Sequence, residues 1–168
     1  KKKFGDDGNL FAIGVQTDRF FQKDFFNDYS ALTRSLKQIE GTDDVLAIPG
    51  TVNLMKDSAA DKFKAVNILR QSISSQQELD SCKRIFNNLF FYRGLMYNPS
   101  TQTYLLGVRI NKAWLNSKKR TKVVGDIVEQ VNLFGQNHQV DMHLSGLPMV
   151  RTIMTTRIAN EMKWFLLG

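Results

Sequence analysis

The amino-acid sequence predicts an α+β fold. A strand–helix–strand pattern occupies about residues 10–51, and a second one occupies about residues 102–145. Each helix of these units is amphipathic, so it must cover an apolar sheet face. Residues 52–101 lie between the units and are predicted to add a helix and a hairpin. Two such units in one sheet form a split βαβ, ferredoxin-like sandwich, here with a helical insertion and an extra hairpin.

The first unit starts with an apolar strand over residues 10–15, which follow the turn cluster Asp6-Asp7-Gly8-Asn9. A helix comes next, and Gly41 is placed to end it. Residues 45–48 then form the second predicted strand, which Pro49-Gly50 stops. The helix is indicated by apolar residues three and four positions apart, namely Phe25, Tyr29, Leu32, Leu36 and Ile39.

The region between the units is less regular. In residues 53–75, Phe63, Val66, Ile68 and Leu69 indicate only an extended or short helical piece. Residues 76–89 are predicted as a helix that begins after Ser74 or Ser75 as its N-cap. Residues 90–97 and 103–110 are rich in β-forming residues and flank Asn98-Pro99-Ser100-Thr101, which predicts a hairpin.

The second unit continues from residues 103–110 into another amphipathic helix, which closes at Gly135. Met142 and Leu144 then alternate with polar residues, as in a half-buried strand. Gly146-Leu147-Pro148 turns the chain into a final helix. The apolar face of the second helix comprises Val123, Val124, Ile127, Val131 and Phe134.

Composition limits the function classes. The chain has 168 residues, 42% of them hydrophobic and twelve of them Phe, which favours a folded protein with a substantial core. Its net charge of +7 suits nucleic acid, anionic lipid or only solubility. Much of this excess lies in residues 1–3 and 118–122, neither of which alternates with aromatic residues, so a solvated surface is the preferred interpretation. The single Cys82 excludes an internal disulfide and a cysteine-based zinc site.

Residues suited to catalysis are few. His138, Asp141 and His143 form a His-x-x-Asp-x-His cluster, but no third carboxylate or thiolate completes a metal site, so a surface strand edge is expected. Cys82 lies on the apolar stripe of its helix, where a small buried hydrophobe is the usual role. The chain has no Gly-x-Ser-x-Gly motif and no glycine-rich phosphate loop. We therefore expect no enzyme activity and no cofactor.

Nucleic-acid binding is the main alternative, because a basic ferredoxin-like domain is also the shape of an RNA-recognition module. Such a module stacks bases on aromatic side chains of its central strands. The corresponding strand here, residues 104–110, has Tyr104 as its one aromatic residue. Phe90-Phe91-Tyr92-Arg93 has suitable residue types, but a Phe-rich junction between helix and strand is more often core. A small-molecule or regulatory domain is a third hypothesis.

The ends of the chain favour attachment to a membrane. Lys163 and Trp164 precede the apolar run Phe165-Leu166-Leu167, as at the point where a helix enters the membrane interface. Those few residues cannot cross a bilayer, which needs about 20. The sequence opens on three lysines without a Met. We expect residues 1–148 to be an excised domain and residues 149–168 to be a helix leading into a transmembrane span.

Four segments, taken in order, resemble the extracytoplasmic porter domain of resistance–nodulation–division (RND) superfamily exporters of the MMPL-like or hydrophobe-exporter branch. Residues 4–10 (Phe-Gly-Asp-Asp-Gly-Asn-Leu) precede the first strand. Residues 39–45 resemble the family's Ile-x-Gly-Val-x-x-Val step, although Thr42-Asp43 replaces the usual Val. Residues 89–98 resemble the segment that leads into the hairpin. Residues 144–148 (Leu-Ser-Gly-Leu-Pro) resemble the turn before the helix that runs into the membrane.

The resemblance implies a domain on the periplasmic side of the bacterial inner membrane that captures and conducts lipophilic small molecules or lipids. Its partners would be the rest of the same transporter chain and the membrane, through flanking helices, but no nucleic acid. The family also allows a homo-oligomer of the full transporter. The proton-coupling residues of this family lie in transmembrane helices. Phe90, Phe91, Tyr92, Trp114 and the Met residues near 142–154 are the candidate substrate contacts, with ordinary core packing as the preferred interpretation of each.

Overall fold

A computed structural model describes residues 7–57 and 62–155, with the backbone alone for residues 7, 54–57 and 62–64. Lys1 to Lys3, Phe4 to Asp6 and the apolar tail from Trp164 to Gly168 therefore lie outside the described residues. After a short 3-10 turn the elements are β1 (Leu10–Gln16), α1 (Lys23–Gln38), β2 (Thr42–Leu46), β3 (Val52–Asp57), β4 (Lys62–Asn67), α2 (Gln76–Asn87), β5 (Tyr97–Asn98), β6 (Thr103–Ile110), α3 (Lys112–Leu115), α4 (Lys119–His138) and β7 (Asp141–Ser145).

The main sheet confirms the ferredoxin-like prediction. Its strands lie in the order β2-β6-β1-β7, and every neighbouring pair is antiparallel. β1 and β2 are therefore parallel to each other with β6 between them, and β6 and β7 are parallel with β1 between them. This is the arrangement that two interleaved βαβ units produce. The helices α1 and α4 are the two crossovers.

The core lies between one face of this sheet and the helices α1 and α4. Along β6, Leu106, Val108 and Ile110 are buried, whereas Leu105 and Arg109 are exposed, as the two-residue period of a strand requires. Tyr104 lies on the buried side, where its ring stacks on Phe20 at a centroid distance of 3.9 Å. The other sheet face is not covered by any described element.

Residues 52–101 form the insertion, and here the sequence predictions need two corrections. Residues 53–75, predicted only as an extended or short helical piece, contain the antiparallel hairpin β3–β4, which forms a separate two-stranded sheet. The predicted hairpin between residues 90–97 and 103–110 forms, but its first strand is much shorter than predicted. Residues 90–96 form consecutive turns, and β5 pairs with β6 through only Tyr97 and Asn98. The helix α2 is confirmed, including its N-cap, because the Ser75 hydroxyl accepts a hydrogen bond from the Glu78 amide.

The sandwich has two distinct ends. At the terminal end, β1 and β2 begin and β6 and β7 end; the start of β1 at Leu10 lies beside Gly146, directly after β7. At the insertion end, β1 ends and β6 begins. Asn27 near the start of α1 exchanges two hydrogen bonds with the backbone of Ile73 at that end. The insertion therefore lies at one end of β6, and residues 10 and 146 lie at the other end.

Residues 147–155 form the start of the predicted final helix. Pro148 is buried, while Leu147, Val150, Ile153 and Met154 are exposed. Within residues 7–57 and 62–155, no helix combines the length and the hydropathy that a membrane span requires.

Candidate functional site

Phe90 and Phe91 form an exposed aromatic pair at the insertion end. The helix α2 closes at its C-cap residue Asn88, and the turn that follows directs both rings outward. Phe90 is 81% exposed and Phe91 is 76% exposed, and Leu95 in the same turn region is 54% exposed. The expectation that these two Phe residues belong to the core is therefore wrong. Large apolar side chains exposed together typically mark a contact surface.

Tyr92 anchors the turn that carries this pair. Its hydroxyl donates a hydrogen bond of 2.7 Å to the carbonyl oxygen of Val52 and accepts one of 3.3 Å from the Val52 amide. Its ring stacks on the buried Phe86 at 5.4 Å. These contacts join the turn to the beginning of β3 and to α2. Tyr92 therefore fixes the turn on which Phe90 and Phe91 are exposed.

Trp114, the fourth predicted contact residue, lies at the terminal end instead. It belongs to α3, which directly follows β6, and its indole is half-buried. The Lys119 ammonium lies 4.6 Å from the ring centroid, a cation–π contact. A Cβ atom added to Gly41 would lie 2.6 Å from the ring. The structure thus brings Phe90, Phe91 and Tyr92 together but separates Trp114 from them by the length of β6.

A cleft in the insertion was not predicted from the sequence. It has a volume of about 330 Å³ and lies between the β3–β4 hairpin and α2. Val66 and Ile85 expose apolar surface there, and Arg70 and Glu78 supply opposite charges. The hairpin that forms one wall has no clear apolar period, so the sequence contained no signal for it. The lining residues are Asn53, Val66, Asn67, Ile68, Arg70, Glu78, Cys82 and Ile85.

Cys82 lines this cleft as a free, partly buried thiol. Burial raises its pKa, and the nearby Glu78 carboxylate raises it further, while Arg70 acts in the opposite direction. A raised pKa keeps the thiol protonated and weakly nucleophilic at neutral pH. Cys82 is therefore better suited to line the cleft than to act as a nucleophile.

The histidine cluster does not converge on one point. The His138 ring packs against Phe134 at 4.4 Å, and its Nε2 lies 3.4 Å from a carboxylate oxygen of Asp28. Asp141 and His143 lie on the uncovered sheet face, on alternate positions of β7. Among the residues whose side chains are described, no group of three His, Cys, Asp or Glu is arranged to hold a metal ion.

The uncovered sheet face lacks the side chains on which bases stack. Leu10, Leu46 and Leu105 are exposed there around Gly14 and Gly107. The described strands place no Phe, Tyr or Trp on this face, because Tyr104 lies on the side of the helices. Arg109, Asp141 and His143 also lie on this face, so its described strands combine leucine with polar side chains and offer no ring for stacking, unlike an RNA-recognition module.

Comparison of the chain with protein-family models, with curated proteins and with solved structures finds no match.

Proposed function

We propose that this chain is the extracytoplasmic, substrate-handling porter domain of a bacterial proton-driven RND-type exporter of lipophilic substrates. The exposed pair Phe90 and Phe91 is the observation that carries the proposal. Two large aromatic rings held in water are costly, since each forgoes about 2 kcal/mol of burial free energy. A contact with an apolar cargo or with a neighbouring part of the same transporter recovers that free energy. The chain acts by binding and conducting cargo and has no enzyme activity.

The layout of the domain also supports the proposal. The aromatic pair lies at the insertion end, opposite the end where residues 10 and 146–155 lie. If flanking helices anchor the terminal end in the inner membrane, the insertion projects into the periplasm. A compact sandwich transmits rigid-body motion well, and such motion of repeats drives alternating access in transporters. In that arrangement the aromatic surface would move relative to the membrane during each transport cycle.

The coding sequence around the chain provides the first test. We expect an apolar segment of about 20 residues on each side, the length that crosses a bilayer. Hydrophilic sequence on both sides would exclude the proposal, whatever the behaviour of individual variants.

Transport provides the second test. In cells that express the full transporter, Phe90→Ala combined with Phe91→Ala should raise the steady-state accumulation of a lipophilic dye such as Nile red several-fold. The matched control is Leu133→Ala, which removes an exposed apolar side chain from α4, outside the insertion. Equal protein levels in the membrane fraction must accompany the comparison. Unchanged dye export by the double variant would refute the assigned role of the aromatic pair.

A further inference from the structure

The charged residues of this domain are divided unequally between its two ends. Residues 37–44, 109–126 and 151, which surround the terminal end, contain eight cationic side chains and four carboxylates. The segments at the insertion end of the sandwich, residues 16–28 and 136–141, contain two cationic side chains and four carboxylates, and the insertion, residues 52–101, adds seven cationic side chains and four carboxylates. The cations of the terminal end are Lys37, Arg109, Lys112, Lys118, Lys119, Arg120, Lys122 and Arg151.

Several of these cations have no carboxylate within ion-pair distance among the described residues. Asp44 forms ion pairs with both Lys37 and Arg109, and Asp126 pairs with Lys122. By contrast, no described carboxylate pairs with Lys118, Lys119, Arg120 or Arg151, and the exposed groups Lys118 and Arg151 point into solvent. We call Lys118, Lys119, Arg120, Lys122 and Arg151 the basic surface. Its charge is only partly compensated within the protein.

The basic surface is continuous with the helix that follows β7. Arg120 donates a hydrogen bond of 2.9 Å from Nη2 to the hydroxyl of Thr155, the last described residue of that helix. Its Nη1 also donates to the carbonyl of Leu115 in α3. The half-buried Trp114 lies directly under Lys119. A cationic surface with an indole, next to a chain exit, has the composition that favours the headgroup layer of a membrane.

We propose that the basic surface binds the anionic headgroups of the membrane in which the flanking helices are anchored. The inference rests on the proposed function, because only that function places the terminal end against a bilayer. Cations near an anionic leaflet each strengthen association by about fivefold. The cations of the basic surface would therefore fix the height and tilt of the domain above the membrane, against which the insertion moves.

Nucleic acid is a less suitable partner for this surface. Binding of single strands combines cations with exposed aromatic rings for stacking. Trp114 is the one aromatic side chain near these cations within the described residues, and its ring is covered by Lys119 and packed against Gly41. Binding to anionic lipid headgroups requires only the positive charge.

The test measures co-sedimentation of the 168-residue chain with vesicles in 0.1 M salt. Vesicles of phosphatidylcholine with about 30% phosphatidylglycerol are compared with vesicles of phosphatidylcholine alone. We expect binding to the anionic vesicles to be at least about a hundredfold tighter. The triple variant Lys118→Gln, Lys119→Gln, Lys122→Gln should lose most of that difference, about two orders of magnitude if the contributions add. Residues 1–3 and the apolar tail remain unchanged in both proteins.

A matched variant separates the basic surface from net charge. Lys83→Gln, Arg84→Gln and Arg93→Gln remove the same charge from exposed positions of the insertion, and this protein should bind like the unmodified chain. Equal weakening by both triple variants would overturn the proposal, as would equal binding to both vesicle types. Tight binding of a single-stranded oligonucleotide at 0.15 M salt without a preference for anionic vesicles would also overturn it. Circular dichroism establishes that each variant is folded.

Failure of headgroup binding can be distinguished from failure of the proposed function. Apolar flanking segments and dye export that depends on Phe90 and Phe91, together with indifference to vesicle charge, would leave the exporter proposal standing and reject only headgroup binding. Hydrophilic flanking sequences would instead reject both.

Discussion

The hydroxyl group of Tyr29 provides the sharpest test of the packing. Tyr29 is fully buried in α1, where its ring contacts Phe20 at 4.9 Å and Phe134 at 6.2 Å. No hydrogen-bond partner for its hydroxyl exists among the described residues. A buried polar group without a partner costs about 1–3 kcal/mol. Since Tyr29→Phe removes that group and leaves the ring in place, we expect the free energy of unfolding to rise by about 1 kcal/mol.

Tyr92→Phe is the matched control, because the same atom is removed from a hydroxyl that has partners. The Tyr92 hydroxyl makes two hydrogen bonds with the Val52 backbone, each worth about 0.5–1.5 kcal/mol net. The control should therefore lower the free energy of unfolding by about 1–2 kcal/mol. Urea unfolding followed by circular dichroism at pH 7.5 measures both changes. In thermal unfolding, 1 kcal/mol corresponds to about 2–4 °C for a chain of this size.

The pH dependence adds a second signature. Burial raises the pKa of the Tyr29 phenol, so the folded state keeps its proton at a pH where the unfolded chain releases it. Below about pH 10 the phenol is protonated in both the folded and the unfolded state. Above that pH only the unfolded chain loses the proton, so the free energy of unfolding falls by about 1.4 kcal/mol per pH unit. Tyr29→Phe lacks this loss, so its advantage should widen above pH 10. A destabilised Tyr29→Phe variant with an unchanged alkaline slope would show that the hydroxyl is satisfied, and the reasoning would fail.

Three further predictions concern α4, the terminal end and the cleft. Gly125→Ala should raise the free energy of unfolding by about 0.5–1 kcal/mol in urea titrations, because Gly125 lies inside α4 and an added Cβ meets no atom within 4 Å. Gly41→Ala should lower the free energy of unfolding by more than 1 kcal/mol, since φ is +93° and the Cβ would clash with Trp114. In a double-mutant cycle with Trp114→Ala, part of this cost should disappear. Full additivity of the two substitutions would contradict the clash. Glu78→Gln should lower the pKa of the Cys82 thiol and speed its alkylation by iodoacetamide at pH 8, because a carboxylate that disfavours the thiolate is removed; an unchanged rate would mean that burial alone raises the pKa.

The elements that the sequence predicted well are those whose periodicity is strong and local. Residues 103–110 form β6 with the predicted bounds, and their burial alternates. The apolar spacing from Phe25 to Leu36 identified α1, because a helix that covers a sheet needs one apolar stripe. α4 extends beyond its predicted bounds at both ends, from Lys119 to His138, since polar residues continue a helix without adding to its apolar face.

The insertion was predicted poorly because distant contacts hold it together. The β3–β4 ribbon is a separate two-stranded sheet, and such a ribbon needs no regular apolar alternation when other elements support it. Residues 90–97 are rich in β-forming aromatic residues, yet the hydroxyl of Tyr92 bonds to Val52, 40 positions away, and the chain turns instead. A local propensity was overridden by a tertiary contact.

By itself, the sequence determined which segments form the two βαβ units, because hydrophobic period is a property of neighbouring residues. It also provided the four residues considered for cargo contact. Only the tertiary structure decided that Phe90 and Phe91 are exposed while Tyr92 faces inward, and that Trp114 lies at the other end of the domain. The order β2-β6-β1-β7 likewise joins strands far apart in the chain, and the antiparallel registers of these strands place the basic surface and the aromatic pair at opposite ends. The exposure and position of a side chain depend on which distant segments pack together, and a local sequence pattern does not determine that packing.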